Sequence, residues 1–319
     1  MKKQIALLMI CALFMSTLAG CDSFDFYKEL FSKDTPVDAT NENATPTPDA
    51  PEPEPFPLVV NGITIDKSPE TIVSLSPALT EILFEFGEGD RLIGRSEYCN
   101  YPRDAKYADT VRFGSEFAPE AIISLMPDLL LLPSPISEVD RILLEREGIA
   151  AVVIPSPKSL DEFRQIYRVL GALLYGMFVG EDEGETVFSD ITLACNNPDV
   201  ISLGSFVYIT ENMSIATGDT LESAVLSCFG ENLAAGGQGY VFDPTELLKK
   251  QPDIILLSNI YTVDDLRKNE HFAELDAIAD DDALRVIFID NAYFERPSSR
   301  IVKLVSSIKE QLAELKLPQ

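Results

Sequence analysis

From residue 58 onward, compact apolar runs alternate with stretches whose apolar residues recur at helical spacing. "PLVVNGITI" (57–65) predicts a β-hairpin turning at Asn61-Gly62. "TIVSL" (71–75) predicts a strand, after which Ser76 caps a helix with Pro77 at its first position, running to Gly87. Further strands are predicted at 91–96, 129–132, 150–155, 205–210, 254–257 and 285–290. Helices are predicted at 119–126, 138–147, 159–174, 220–229, from 244, at 263–277 and at 298–315. Strands that are apolar on both faces and alternate with helices imply parallel sheets covered on both sides.

One unit is written twice. "FAPEAIISLMPDLLLL" (117–132) and "FDPTELLKKQPDIILL" (242–257) align at a constant offset of 125, pairing Phe117 with Phe242, Pro119 with Pro244 and Pro127-Asp128 with Pro252-Asp253. The offset drifts elsewhere, so the repeat reads as two α/β lobes rather than a short-period solenoid. Between them, 177–198 reads as a connecting helix, although glycines at 176, 180 and 184 require either irregularity or close packing there.

The N-terminal segment changes the picture. Residues 1–20 carry two lysines and an apolar run ending in Leu18-Ala19-Gly20-Cys21, too short for a comfortable membrane span. The LAGC tetrad resembles the bacterial lipobox, which would make Cys21 a lipidated residue. Residues 21–57 then read as a tether, since seven of the chain's 21 prolines lie between Pro36 and Pro57 among polar residues. The expected organisation is therefore signal (1–20), tether (21–57), first lobe (58–176), connecting helix (177–198) and second lobe with a terminal helix (199–319).

Charge and residue counts exclude several chemistries. The formal net charge is −27, which opposes nucleic-acid binding, because phosphates demand Lys and Arg. His271 is the only histidine, which disfavours a histidine-rich metal site and leaves a Ser-His-Asp hydrolase without a convincing base. It reads as part of a solvated helix. No metal or cofactor is expected. Of the cysteines, Cys99, Cys195 and Cys228 lie in the body, so at most one disulfide can form; buried thiols are the favoured reading.

The stretches "TIVSLSPALTEILFEFGEGDRLIGRSEYCNYP", "PEAIISLMPDLLLL" and "YFERPSSRI" resemble the helical-backbone (class III) ABC-transporter substrate-binding proteins, similar to iron-siderophore binders, and within them the cobalamin-binding branch. The resemblance implies an α/β fold of two lobes, each with a parallel sheet flanked by helices, joined by a long backbone helix with the ligand cleft between them. It implies capture of cobalamin or a related corrinoid for an ABC importer, with no catalysis. Ferric siderophore or haem is the alternative, because the chain has no tryptophan and places Gly114 and Pro133 where bulky aromatics are expected.

By the same resemblance Ser76 and Pro77 line one wall, Tyr98 packs against the ring, Tyr240 and Tyr293 fall near other wall positions, and Arg296 reaches a polar group. Glu120 and Glu246 would dock onto a permease dimer with its ATPase. Glu246 is shifted one residue from the position matching Glu120, and a capping-box reading with Asp243 competes. A monomer anchored by lipid to the outer face of the cytoplasmic membrane is expected.

Overall fold

The computed structural model describes residues 55–114, 117–196 and 202–315, which form one compact unit. The signal segment, Cys21 and the tether up to residue 54 lie outside the described residues. The first lobe opens with the predicted hairpin, β1 (Leu58–Val60) and β2 (Ile63–Ile65), whose turn residues Asn61 and Gly62 both have positive φ. That conformation is the reason for an Asn-Gly pair at this position.

Five parallel strands follow: β3 (Ile72–Ser74), β4 (Leu92–Ser96), β5 (Asp109–Val111), β6 (Leu129–Leu132) and β7 (Ala150–Val153), in the order β5-β4-β3-β6-β7. Helices α1 (Pro77–Glu85), α2 (Pro119–Leu125), α3 (Glu138–Arg146) and α4 (Leu160–Tyr175) connect or cover them. The second lobe repeats the arrangement with four parallel strands, β8 (Gly204–Ile209), β9 (Gly230–Asn232), β10 (Ile254–Ser258) and β11 (Val286–Ile289), ordered β11-β10-β8-β9. In each lobe the chain starts in the middle, fills one side, then crosses to the other, so β3/β6 and β8/β10 flank a switch point. In open α/β sheets, ligands bind beyond the carboxyl ends of strands at such points.

The 125-residue repeat is structural. Leu129 to Leu132 are completely buried, as are Ile255 to Leu257, and each apolar run is an interior strand of its sheet. Phe117 packs on the first core and Phe242 on the second. The two helices α2 and α7 (Pro244–Lys250) both end in a left-handed residue, Met126 and Gln251, just before Pro-Asp. The aspartates then clamp the neighbouring strands. Asp128 Oδ2 accepts from the backbone N–H groups of Glu70 and Thr71 and from the Thr71 hydroxyl, while Asp253 Oδ2 accepts from Ser205 N–H and hydroxyl. These bonds favour the charged form and hold both carboxyls below their usual range.

The glycines of the connecting helix α5 (Met177–Asn196) resolve into close packing. A Cβ on Gly180 would lie 2.1 Å from the Gly171 carbonyl oxygen of α4, and one on Gly184 would lie 2.6 Å from that of Tyr167. Only glycine permits backbones to approach so closely. Phe163, Tyr167 and Phe188 then stack edge-to-face, with centroids 5.1 to 5.6 Å apart, and Arg168 pairs with Glu181.

Several expectations are corrected in the second lobe. The helix expected at 220–229 is confined to α6 (Leu221–Leu226), and that expected at 263–277 to α8 (Val263–Lys268). Phe272 and Leu275 enter the core from the irregular segment after α8 and Ala277 and Ile278 from a short 3₁₀ helix (Asp276–Ile278), and exposed His271 lies in a turn rather than a helix. The helix expected at 298–315 starts only at α10 (Ile301–Glu314), because Ser298 and Ser299 turn away to bond the first lobe, and a short helix that was not expected, α9 (Ala292–Glu295), precedes it. Two edge strands, β5 and β9, were not anticipated. Among the described residues no helix is long and apolar enough to cross a membrane.

Candidate functional site: an interlobe seam of tyrosine and arginine

At the carboxyl end of β3 the chain turns through Ser74-Leu75-Ser76 into α1. Ser76 Oγ accepts from Leu79 N–H at 3.3 Å, and Pro77 occupies the first helical position. Thr80 Oγ1 lies 2.9 Å from both Ser74 Oγ and the Ser76 carbonyl. Buried Cys99 adds contacts to the Ser96 hydroxyl and the Ser74 carbonyl. The turn is thereby a rigid platform. Ser76 is buried and serves the helix cap, whereas Pro77 is half-buried.

The loop after β4 carries Tyr98, 60 % exposed, and Tyr101, 41 % exposed. Opposite stands the segment after β11. Arg296 Nη1 donates to Asn100 Oδ1 at 2.6 Å, across the two lobes. The Arg300 guanidinium lies 5.0 Å from the Tyr101 ring centroid and 5.4 Å from that of Tyr293, between one tyrosine of each lobe. Lys303 Nζ approaches the Tyr101 hydroxyl at 3.4 Å. Such cation–ring contacts are worth about 0.5–1 kcal/mol each at exposed sites and more when desolvated.

Beneath this seam the lobes are bolted together. Glu81, 2 % exposed on α1, accepts from Ser298 Oγ at 2.7 Å and pairs with Arg300 at 3.2 Å. Glu85, one turn on, accepts from Ser299 N–H and hydroxyl and from Tyr167. Burial removes hydration from both carboxylates and raises their pKa, outweighing the opposing pull of these donors.

The structure thus brings Tyr98, Tyr293 and Arg296 to facing segments. Tyr240 belongs to a separate part of the second lobe's loops: it has φ +63°, and its hydroxyl donates to Glu222 at 3.0 Å. Burial raises both of their pKa values, with the Glu222 charge adding to the effect on Tyr240. The sequence reading passed over Asn100, Tyr101, Arg300 and Lys303. Three of them lie inside the stretches "SEYCNYP" and "YFERPSSRI", so the signal was present but residue type alone did not show which side chains face the opposite lobe. A Cβ on Gly114 would meet nothing within 4 Å, so open space stands where an aromatic was expected.

Glu120, exposed, and Glu246, half-buried, lie in the first turns of α2 and α7. The capping-box reading of Asp243 and Glu246 fails: Asp243 accepts from Thr245 N–H, and Glu246 pairs with Lys249 at 2.5 Å. Among the described residues no cluster of His, Cys, Asp and Glu has metal-binding geometry.

Comparison with known proteins agrees with this architecture. Residues 72–195 match the family described as periplasmic binding protein. The chain is 24 % identical over 276 residues to the uncharacterized ABC transporter substrate-binding lipoprotein YvrC of Bacillus subtilis, covering 78 % of this chain and 82 % of that protein. It is 23 % identical over 286 residues to a vitamin B12-binding protein of Yersinia pestis, covering 82 % and 93 %. Among solved structures, the periplasmic vitamin B12 binding protein BtuF of Vibrio cholerae superposes with TM-score 0.58 at 24 % identity, covering 77 % of this chain and 97 % of that one. The periplasmic heme binding protein HutB of the same organism gives TM-score 0.58 at 18 % identity, covering 76 % and 98 %. At these identities the structural matches establish the fold.

Proposed function

We propose that this chain, whose residues 72–195 match the family described as periplasmic binding protein, captures cobalamin or a related corrinoid and delivers it to an ABC importer. It is a substrate-binding protein of transport, not an enzyme. The observation that carries the ligand reading is the interlobe seam: Asn100 and Tyr101 of the loop that also bears exposed Tyr98 meet Arg296 and Arg300 of the other lobe, with Tyr293 beside Arg300. A corrin ring is large, flat and conjugated with an amide fringe, so it suits aromatic faces beside guanidinium donors. The B12-binding proteins among its relatives support the same choice.

Cys21 is the lipid attachment point in this reading, and the proline-rich segment holds the body above the membrane; YvrC, called a lipoprotein, supports that placement. Glu120 and Glu246 present one acidic group per lobe to the two halves of a permease. The protein works as a monomer.

Purified protein incubated with cobalamin and dialysed retains corrinoid absorbance on this proposal. Retention of haem or a ferric siderophore but not of cobalamin overturns it.

A further inference from the structure

Three cations of the second lobe converge on two neighbouring residues of the first. Arg296 Nη1 donates to Asn100 Oδ1 at 2.6 Å, and the Tyr101 ring beside it has the Arg300 guanidinium 5.0 Å and Lys303 Nζ 5.7 Å from its centroid. Lys303 Nζ also donates to the Tyr101 hydroxyl at 3.4 Å. Among the described residues a single carboxylate answers the three: buried Glu81 pairs with Arg300, whereas Arg296 and Lys303 join no ion pair. Carboxylates are not scarce, since the chain carries 52 acidic against 25 basic residues, and Arg91, Arg141, Arg168 and Arg267 all pair with them. Nor does helix stability account for Lys303. It stands in the first turn of α10, where the dipole disfavours a cation, and no acidic residue in that turn offsets it.

Arg296 and Lys303 are thus held by neutral oxygens. A charged oxyanion makes shorter and stronger bonds to guanidinium and ammonium groups than an amide or a phenol does, so it displaces those partners. Asn100, Tyr101 and Lys303 are exposed, as is Tyr98 of the same loop, so the two cations open beside the aromatic faces of the seam.

We propose that Lys303 and Arg296 form an anion subsite at the edge of the seam, which takes one oxyanion of the bound ligand. The ligand's identity rests on the corrinoid reading, in which the oxyanion is the phosphodiester of the nucleotide loop; in haem a carboxylate supplies the same chemistry. Asn100 and Tyr101 keep the cations in place until the ligand arrives. The subsite thereby selects nucleotide-bearing corrinoids over those lacking the loop.

Equilibrium titrations of the full-length protein in detergent compare cyanocobalamin with dicyanocobinamide, which has the ring but no phosphodiester. Lys303→Gln should weaken cobalamin binding about tenfold, the loss of one bond between charged groups, and leave cobinamide binding unchanged. Lys303→Arg should restore cobalamin affinity, and added salt should weaken cobalamin binding more in the unaltered protein than in Lys303→Gln. Unchanged cobalamin affinity in Lys303→Gln, or an equal loss for both corrinoids, overturns the proposal. If the unaltered protein takes up haem and neither corrinoid, the corrinoid reading fails instead. Haem is then the probe: weaker haem binding by Lys303→Gln upholds the subsite with a carboxylate as its anion, and unchanged haem binding overturns it.

Discussion

The Glu85 carboxylate receives both the backbone N–H and the hydroxyl of Ser299, at 2.9 and 2.7 Å, although 214 residues separate the two in sequence. With Glu81 and Ser298 beside it, this pairing fixes where the "FERPSSR" segment stands relative to α1. It explains why the final helix begins at Ile301: the residues before it are committed to the first lobe.

The buried carboxylates make the bolt pH-dependent. Burial raises the pKa of Glu85 and of Glu81 above 4.5, so the folded protein holds these protons more tightly than the unfolded chain. Their contribution to stability is complete below the unfolded value and is lost as pH rises through the folded values. Arg300 and Tyr167 face the same carboxylates. Asp128 and Asp253, held below 3.8, act in the opposite sense only at lower pH. Glu85→Gln keeps an acceptor for Ser299 without the charge. Thermal unfolding between about pH 5 and 7 should show a shallower loss of stability with rising pH in the variant, each unit of removed shift being worth about 1.4 kcal/mol. Identical slopes would refute this.

The glycine contact gives a prediction about stability alone. Gly180→Ala places a methyl against the Gly171 carbonyl, and overpacking of this kind costs about 1–3 kcal/mol. Denaturant unfolding should show that loss. An unchanged midpoint would mean α4 and α5 separate without cost.

Docking is tested by charge reversal. Glu120 is exposed at the second position of α2, whereas the tyrosine–arginine seam is built from the loop after β4 and the segment after β11. Glu120→Lys should abolish transport and permease binding, leave ligand affinity of the isolated protein intact, and cost no more than about 1 kcal/mol from the lost dipole interaction. Transport that survives the change would assign Glu120 to helix stability only.

Much of the architecture could be read from residues. The Asn-Gly hairpin, the Ser76-Pro77 helix start and the doubled Pro-Asp unit each carry local chemistry that the fold uses. Other elements had no local signature. β5 and β9 read Asp-Thr-Val and Gly-Glu-Asn, polar edge strands without the continuous apolar character of central ones. Phe272 and Leu275 have helical spacing but are buried from the irregular segment after α8, where tertiary packing overrides pattern. Cys228 looked like a buried thiol and is exposed. Arg296 is legible from its motif, whereas the places of Arg300 and Tyr101 depend on which loops of the two lobes meet.

The central claim, that a corrinoid is held at the seam between the Tyr98 loop and the Arg296 segment, is tested most directly by equilibrium titration of cobalamin into the unaltered protein and into Tyr98→Ala/Arg296→Ala. Losing a stacking face of about 1 kcal/mol and a charged donor of about 1.5–3 kcal/mol predicts binding weaker by roughly 100-fold, with the ligand-free unfolding midpoint nearly unchanged. Equal affinity in the double variant would contradict the account and move the site away from this seam.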